Sequence, residues 1–295
     1  MEFQLENPLP TDTTDPSSLF FVESDHMPSE KYAGSLRFGD FDVAVRQETI
    51  GLISQLCSRL DRLVWYLSVN YLDRFLSRQK LPQTKPWALR LIAMSCVSLA
   101  TKMQGVNLSR SDLQGNGGLI FDSGTLQRME VLILGALKWR MRSITPFSFV
   151  PFFMSLFQLK NLPLRQALKG RATDIIFRAQ TDINLLGFKP SIIAASALLR
   201  ASNQLFPLQF SSFRDAICGC SYVNKDHLDR CYGKMQQVAI ERYESAHDSV
   251  SRSDTPSNVL DQQFKSTSDS ERTGSTSGRA LKRRKTSGSA SSVLT

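Results

Sequence analysis

Cys218, Cys220, His227 and Cys231 together offer four soft ligands of the kind that hold a metal ion. They offer thiolate and imidazole ligands, and His227 and Cys231 stand one helical turn apart, a spacing compatible with a tetrahedral zinc site. Buried thiols acting as small apolar groups are the favoured reading, because free cysteine is among the most buried residue types. Catalysis has even less to work with. Of the three histidines, His26 and His247 lie in or beside segments of tail-like composition, which leaves His227 as the candidate base for a triad. The run Gly-Asn-Gly-Gly at 115–118 is not followed by the Gly-Lys-Ser/Thr of a phosphate-binding loop. No intrinsic catalysis, metal or cofactor is expected. A binding chemistry is better served: Lys102 closes an apolar run from Trp87 in which Arg90 is the only other charge, and Glu130 follows in a second apolar stretch. Structural roles remain open for both, since a cation in the last turn of a helix offsets the macrodipole and a glutamate suits a solvated face.

The elements that must carry these residues read as helices. Asp42 can cap a helix over 43–60, another follows over 61–77, Thr84 and Pro86 open a third over 87–103, and Asp122 or Ser123 precedes a fourth over 124–139. The last of these places Leu126, Met129, Ile133, Ala136 and Leu137 on one face at 3.6-residue spacing. Thr145-Pro146 starts a segment over 147–157, and the same logic gives helices near 163–185, 190–204, 209–217 and 225–243. No strand pattern with hairpin turns appears, so the fold class is all-α.

An internal repeat organises the helices. "LIAMSCVSLATK" at 91–102 aligns with "IIAASALLRASN" at 192–203, and "LQRME" at 126–130 aligns with "LDRCY" at 228–232. Both pairs agree on nearly one spacing, which predicts two tandem five-helix bundles, each with its third helix apolar nearly all round and surrounded by the others. In this register Lys102 corresponds to Asn203 and Glu130 to Tyr232. The charges belong to one copy only.

With 295 residues and 41% apolar content, the chain can bury two cores of roughly 100–150 residues each. Its apolar runs fall short of the ~20 residues of a membrane span, and its start lacks a basic-then-apolar signal pattern. A soluble protein made in the cytosol is expected, and five irregularly spaced cysteines fit reduced thiols. The net charge of +9 is uneven: residues 1–42 carry −7 and residues 246–295 carry +3, leaving +13 between them. A basic body of this kind meets an acidic protein surface or nucleic acid. The expected divisions are an acidic disordered tail (1–40), a first bundle (41–145), a second bundle (146–245) and a Ser/Thr-rich disordered tail (246–295). That last tail holds Lys282, Arg283, Arg284 and Lys285, a basic run of the kind import receptors read, and Thr255-Pro256, the minimal form of a proline-directed phosphorylation site.

"YLSVNYLDRFLS", "LP" followed by "W", "LIAMSCVSLATKM", "TLQRMEVLILGALKWRM" and "ITPFSF" together resemble the cyclin box of a D-type cyclin, in particular its plant branch, over about 41–245. The resemblance implies a regulatory subunit that binds and activates a cyclin-dependent kinase. Lys102 and Glu130 would contact the kinase beside its mobile regulatory helix, with Leu99 and Met103 supplying apolar contact. Kinase inhibitors and substrates follow as further partners, membranes do not, and the expected location is the nucleus and also the cytoplasm. A shallow groove for Arg-x-Leu peptides would be formed by Val45, Arg46, Thr49, Leu52, Leu89 and Arg90, with Thr49 and Arg90 on its rim and Leu52 standing where the family has tryptophan. Two further departures stand out. Gln104 and Gly105 replace two acids after Lys102, and a Leu-x-Cys-x-Glu motif for retinoblastoma proteins is missing, since the first cysteine is Cys57; the latter resembles the short sixth plant subgroup. The alternatives are a cyclin that binds its kinase without activating it, and a nucleic-acid-binding transcription factor of cyclin fold. Against the second, no helix carries a dense Arg/Lys stripe.

Overall fold

A computed structural model of the chain describes residues 17–79, 85–107 and 121–250, and within them every regular element is helical. The first bundle contains α3 (Asp40–Leu56), α4 (Arg62–Leu76), α5 (Pro86–Met103) and α6 (Ser123–Ala136). Their starts follow ordinary helix chemistry. The Asp61 carboxylate accepts the Leu63 N–H at 2.7 Å, Asp122 does the same for Thr125, and Pro86 opens α5 without wasting a donor. From Leu91 to Thr101 every residue of α5 is buried, packed among α3, α4 and α6. Residues 108–120, between α5 and α6, lie outside the described residues.

The second bundle comprises α7 (Val150–Ser155), α8 (Leu162–Ala179), α9 (Pro190–Leu205), α10 (Phe210–Cys218) and α11 (Lys225–Val250). Here α9 is the enclosed helix, against α7, α8 and α10. Three helices end earlier than periodicity predicts: α3 at Leu56, where Cys57 caps it, and also α6 and α8. After α6, Lys138 and Trp139 turn into the left-handed region at φ 53° and 61°. After α8, the Asp182 carboxylate accepts the Asn184 N–H and opens a separate single turn at Ile183–Leu185.

The expectation of a disordered tail over 1–40 is corrected for its second half. Residues Ser17–Val22 form α1, Glu23–His26 a 3-10 turn and Glu30–Phe38 α2. Phe20 is buried among the second bundle's aromatics, its ring centroid 4.8 Å from Phe149 and stacked at 4.7 Å on Tyr222. Glu23 is 1% exposed and lends its carboxylate to the start of α9, accepting the Ser191 N–H and hydroxyl, each at 2.9 Å. Burial pushes the Glu23 carboxyl above its ordinary range, opposed by those two Ser191 bonds and by Lys189. Further along, α2 buries Tyr32 and Leu36. The segment's apolar residues show no helical period of their own, because their partners lie elsewhere in the chain: α1 packs on the second bundle, and α2 on α3 and on the turn Ile183–Leu185. Residues 1–16 and 251–295 lie outside the described residues, and so do Thr255 and the basic run from Lys282 to Lys285.

If the segment is integral, Phe20→Ala should cost ~3 kcal/mol of stability, as large-to-small aromatic substitutions in cores do. Urea denaturation followed by circular dichroism measures this; a midpoint unchanged from the natural protein would mean the segment is a loose tail after all.

Candidate partner-binding site

The two charges singled out by the repeat meet. Lys102, in the last turn of α5, places its Nζ 2.8 Å from Glu130 Oε1 and 2.7 Å from Oε2, across to the middle of α6. Glu130 is 6% exposed, so it does not occupy a solvated face, whereas the Lys102 side chain is 61% exposed. A third group joins them. The Ser98 hydroxyl donates to Glu130 Oε1 at 2.6 Å. Ser98 stands four residues before Lys102, so both reach α6 from one face of α5. Sequence reading passed over Ser98, although its spacing from Lys102 was a usable signal. Beside the pair, Leu99 is buried and Met103 half-buried against the core.

Immediately after this face α5 stops. Gly105 has φ +66°, and the Val106 N–H reaches back to the Thr101 carbonyl at 2.9 Å while the Gly105 N–H reaches Lys102 at 3.3 Å. This is a helix stop with glycine in the left-handed position, where a side chain would be strained. The acid missing at 105 thus has a backbone reason. Gln104 faces inward, with its amide nitrogen buried.

The second bundle repeats the contact without the charge. The Asn203 Nδ2 donates to the Tyr232 Oη at 3.2 Å, joining α9 to α11 at the positions equivalent to Lys102 and Glu130. Contact between these positions belongs to the repeat; ionic character belongs to the first copy.

The peptide-groove residues behave differently from expectation. Arg46 is 1% exposed and faces no groove. Its Nε donates to Asp73 Oδ1 at 2.7 Å and its Nη2 to Oδ2 at 3.0 Å, while Nη1 and Nη2 also donate to the carbonyls of Thr181 (2.7 Å) and Gln180 (3.1 Å). Burial opposes the guanidinium charge, but the attraction and hydrogen bonds of Asp73, with Tyr32 and Asp182 adding to them, hold the proton more firmly than usual. Thr49 is wholly buried instead of lying on a rim, its hydroxyl spent on the Val45 carbonyl at 2.7 Å. Val45 and Leu89 are buried as well. Only Leu52 and Arg90 of the six keep partial exposure. The physical reason is that this face of α3 packs inward, with Val45 and Thr49 one turn apart beside the Arg46 ion pair.

No cluster of three or more His, Cys, Asp or Glu side chains among the described residues is arranged to hold a metal. Cys231 is buried, and burial pushes its thiol up to about 12. Cys218 and Cys220 are half-buried at the edge of the core.

Comparison with known proteins now defines the class. Residues 17–142 match the cyclin N-terminal domain and residues 144–269 the cyclin C-terminal domain. The fold aligns with a viral cyclin from herpesvirus saimiri at a TM-score of 0.52 and 22% identity, covering 66% of this chain and 86% of that one. It also aligns with a chain of the CAK complex of Chaetomium thermophilum bound to ATP-γ-S, at a TM-score of 0.51 and 15% identity, covering 88% and 94%. At that level of identity the likeness is one of fold. The sequence relatives are nearer. The chain is 48% identical to "Putative cyclin-D6-1" of Arabidopsis thaliana, over 97% of this chain and 99% of that protein. It is 37% identical to cyclin-D6-1 of Oryza sativa subsp. japonica, over 92% and 85%. The chain belongs to the cyclin family, and these relatives place it in the plant D-type branch, beside the sixth group.

The Arg46 geometry makes a direct prediction. Removing one partner of a buried, hydrogen-bonded pair strands the other charge, so Arg46→Ala should cost ~3–5 kcal/mol. Denaturant titration of the purified protein measures it, and a loss below ~1 kcal/mol would indicate the modest contribution of a solvent-exposed ion pair.

Proposed function

We propose that this cyclin binds a cyclin-dependent kinase through the face around Lys102 and Glu130 and activates it, promoting cell division. The supporting observation is the asymmetry of the repeat: an ion pair beside Leu99 and Met103 in the first bundle, a neutral pair in the second. A lysine with two of its three donors on Glu130 keeps capacity for a partner's carbonyl oxygen. The basic body favours an acidic partner surface and speeds encounter with one.

Activation then requires no chemistry from this chain. Phosphoryl transfer by a kinase depends on a Lys–Glu ion pair formed when its regulatory helix swings inward. A rigid surface that binds the inward state more tightly shifts the kinase population toward it by the difference in affinity. Rigidity is what the buried α5 and the anchored Glu130 provide. A second reading, binding without activation, is favoured by Gln104 and Gly105, which leave Lys102 without acids in the following residues. Substrate choice in either case rests little on Arg-x-Leu peptides, because Arg46 and Thr49 are committed internally and Leu52 offers less contact than an indole.

Lys102→Ala or Glu130→Ala should weaken kinase binding at least about tenfold, in line with the cost of truncating one partner of an interfacial charge pair. Titration of purified kinase with each folded variant tests this, and unchanged affinity in both would remove the face from the interface. A kinase assay on the natural complex separates activation from binding alone.

Nuclear entry is proposed to use the basic run Lys282–Lys285. Replacing all four residues by alanine should move a fluorescent fusion toward the cytoplasm; retained nuclear enrichment would assign import to the kinase or to another segment.

A further inference from the structure

Serine within a helix ordinarily returns its hydroxyl proton to the carbonyl one turn back. This protein follows that habit repeatedly. Ser54 donates to Ile50, Ser68 to Val64 and Ser95 to Leu91, at 2.7–2.8 Å. Ser98 departs from it. Its hydroxyl crosses to the neighbouring helix and meets Glu130 Oε1 at 2.6 Å. A carboxylate only accepts, so the serine is the donor, and a donor to a charged acceptor forms a stronger bond than one to a neutral carbonyl.

What this bond adds is order. Lys102 approaches Glu130 from solvent on a flexible four-carbon stem, and such a head exchanges readily between protein and water. It does not by itself keep the carboxylate in one orientation. Ser98 is buried, has a single rotatable side-chain bond, and sits on α5 between Val97 and Leu99, both packed in the core. It fixes one oxygen of Glu130 from beneath, and the fixed carboxylate then holds the ammonium on the surface. The repeat supplies an internal comparison. The position equivalent to Ser98 in the second bundle is Leu199, and there the neutral Asn203–Tyr232 pair replaces the ion pair. Hydroxyl and ion pair occur together.

We infer that Ser98 is a positioning residue for the partner face: it orders Glu130, and through Glu130 the Lys102 ammonium, before the kinase arrives. The inference rests on the reading of Lys102 and Glu130 as kinase contacts. Association then loses less side-chain freedom at this point, because the geometry is already set in the free cyclin.

A double-mutant cycle tests it with the full-length protein and its purified kinase. Ser98→Ala should raise the dissociation constant by about three- to tenfold, chiefly through faster dissociation. In a Lys102→Ala background the same substitution should change it less than about twofold, since no ammonium remains to be positioned. Equal losses in both backgrounds would make Ser98 a general packing residue and overturn the inference. So would an unchanged constant for Ser98→Ala alongside a large loss for Lys102→Ala. Should Lys102→Ala itself bind normally, the kinase-face reading fails first and the role of Ser98 falls with it. Far-UV circular dichroism of each variant separates lost binding from lost folding.

Discussion

The Arg46 guanidinium is the joint on which the two bundles depend. From α3 it binds Asp73 of α4 with two bonds, then reaches the carbonyls of Gln180 and Thr181 where α8 ends. Those carbonyls sit at the negative end of a helix, so a cation there satisfies both hydrogen bonding and the dipole. Glu23 supplies the opposite device ten residues on. Its carboxylate binds the first residues of α9, the positive end of the next helix. A base from the first bundle and an acid from the N-terminal segment thus bracket the turn between α8 and α9, the helix pair at the centre of the second bundle. Asp73 also accepts the Tyr32 hydroxyl at 3.4 Å, which draws α2 to the same joint.

Burying a full charge is costly, and Arg46 is tolerated because its three donor nitrogens all find oxygen. The partner face handles charge by another route. Glu130 is buried and anchored, but its counterion stays in water, so the desolvation cost falls on one partner only. The difference follows from position. Arg46 joins elements permanently packed together, whereas a lysine meant to meet another molecule must remain accessible while its direction is controlled.

Much of this was legible in the chain. The apolar character of "LIAMSCVSLA" identifies α5 as the enclosed helix, and the repeat singles out Lys102 and Glu130 as charges of one copy, because both signals are local or periodic; that the two side chains meet is visible only in the fold. Residues 17–38 were illegible for the converse reason: Phe20 and Glu23 find their partners at Phe149, Tyr222 and Ser191, and no window of sequence contains both sides of such a contact. Arg46 was misplaced because the groove was carried over from the family resemblance, and nothing local in the sequence shows that Asp73 is brought beside it. Ser98 was overlooked as one small residue among many in a buried helix, although its place four residues before Lys102 sets it apart from Ser95.

Gly105 shows how a departure from a family pattern can carry a structural meaning in addition to an electrostatic one. In sequence, "KMQG" loses two acids after Lys102; in space, the glycine lets the backbone turn left-handed and return the Val106 N–H to Thr101. An acid at that place would bring a Cβ into a conformation that costs non-glycine residues about 1 kcal/mol or more. The tight stop also keeps the chain from continuing past Met103 as helix, leaving the lysine in the final turn with the carbonyl end of α5 beside it. Among the described residues, Glu130 is then the carboxylate that answers Lys102. With no acid at 104 or 105 to draw the ammonium aside, its direction is set by α6 and by whatever orders Glu130, which is why a single hydroxyl on the inner side of the pair acquires leverage over the outer side.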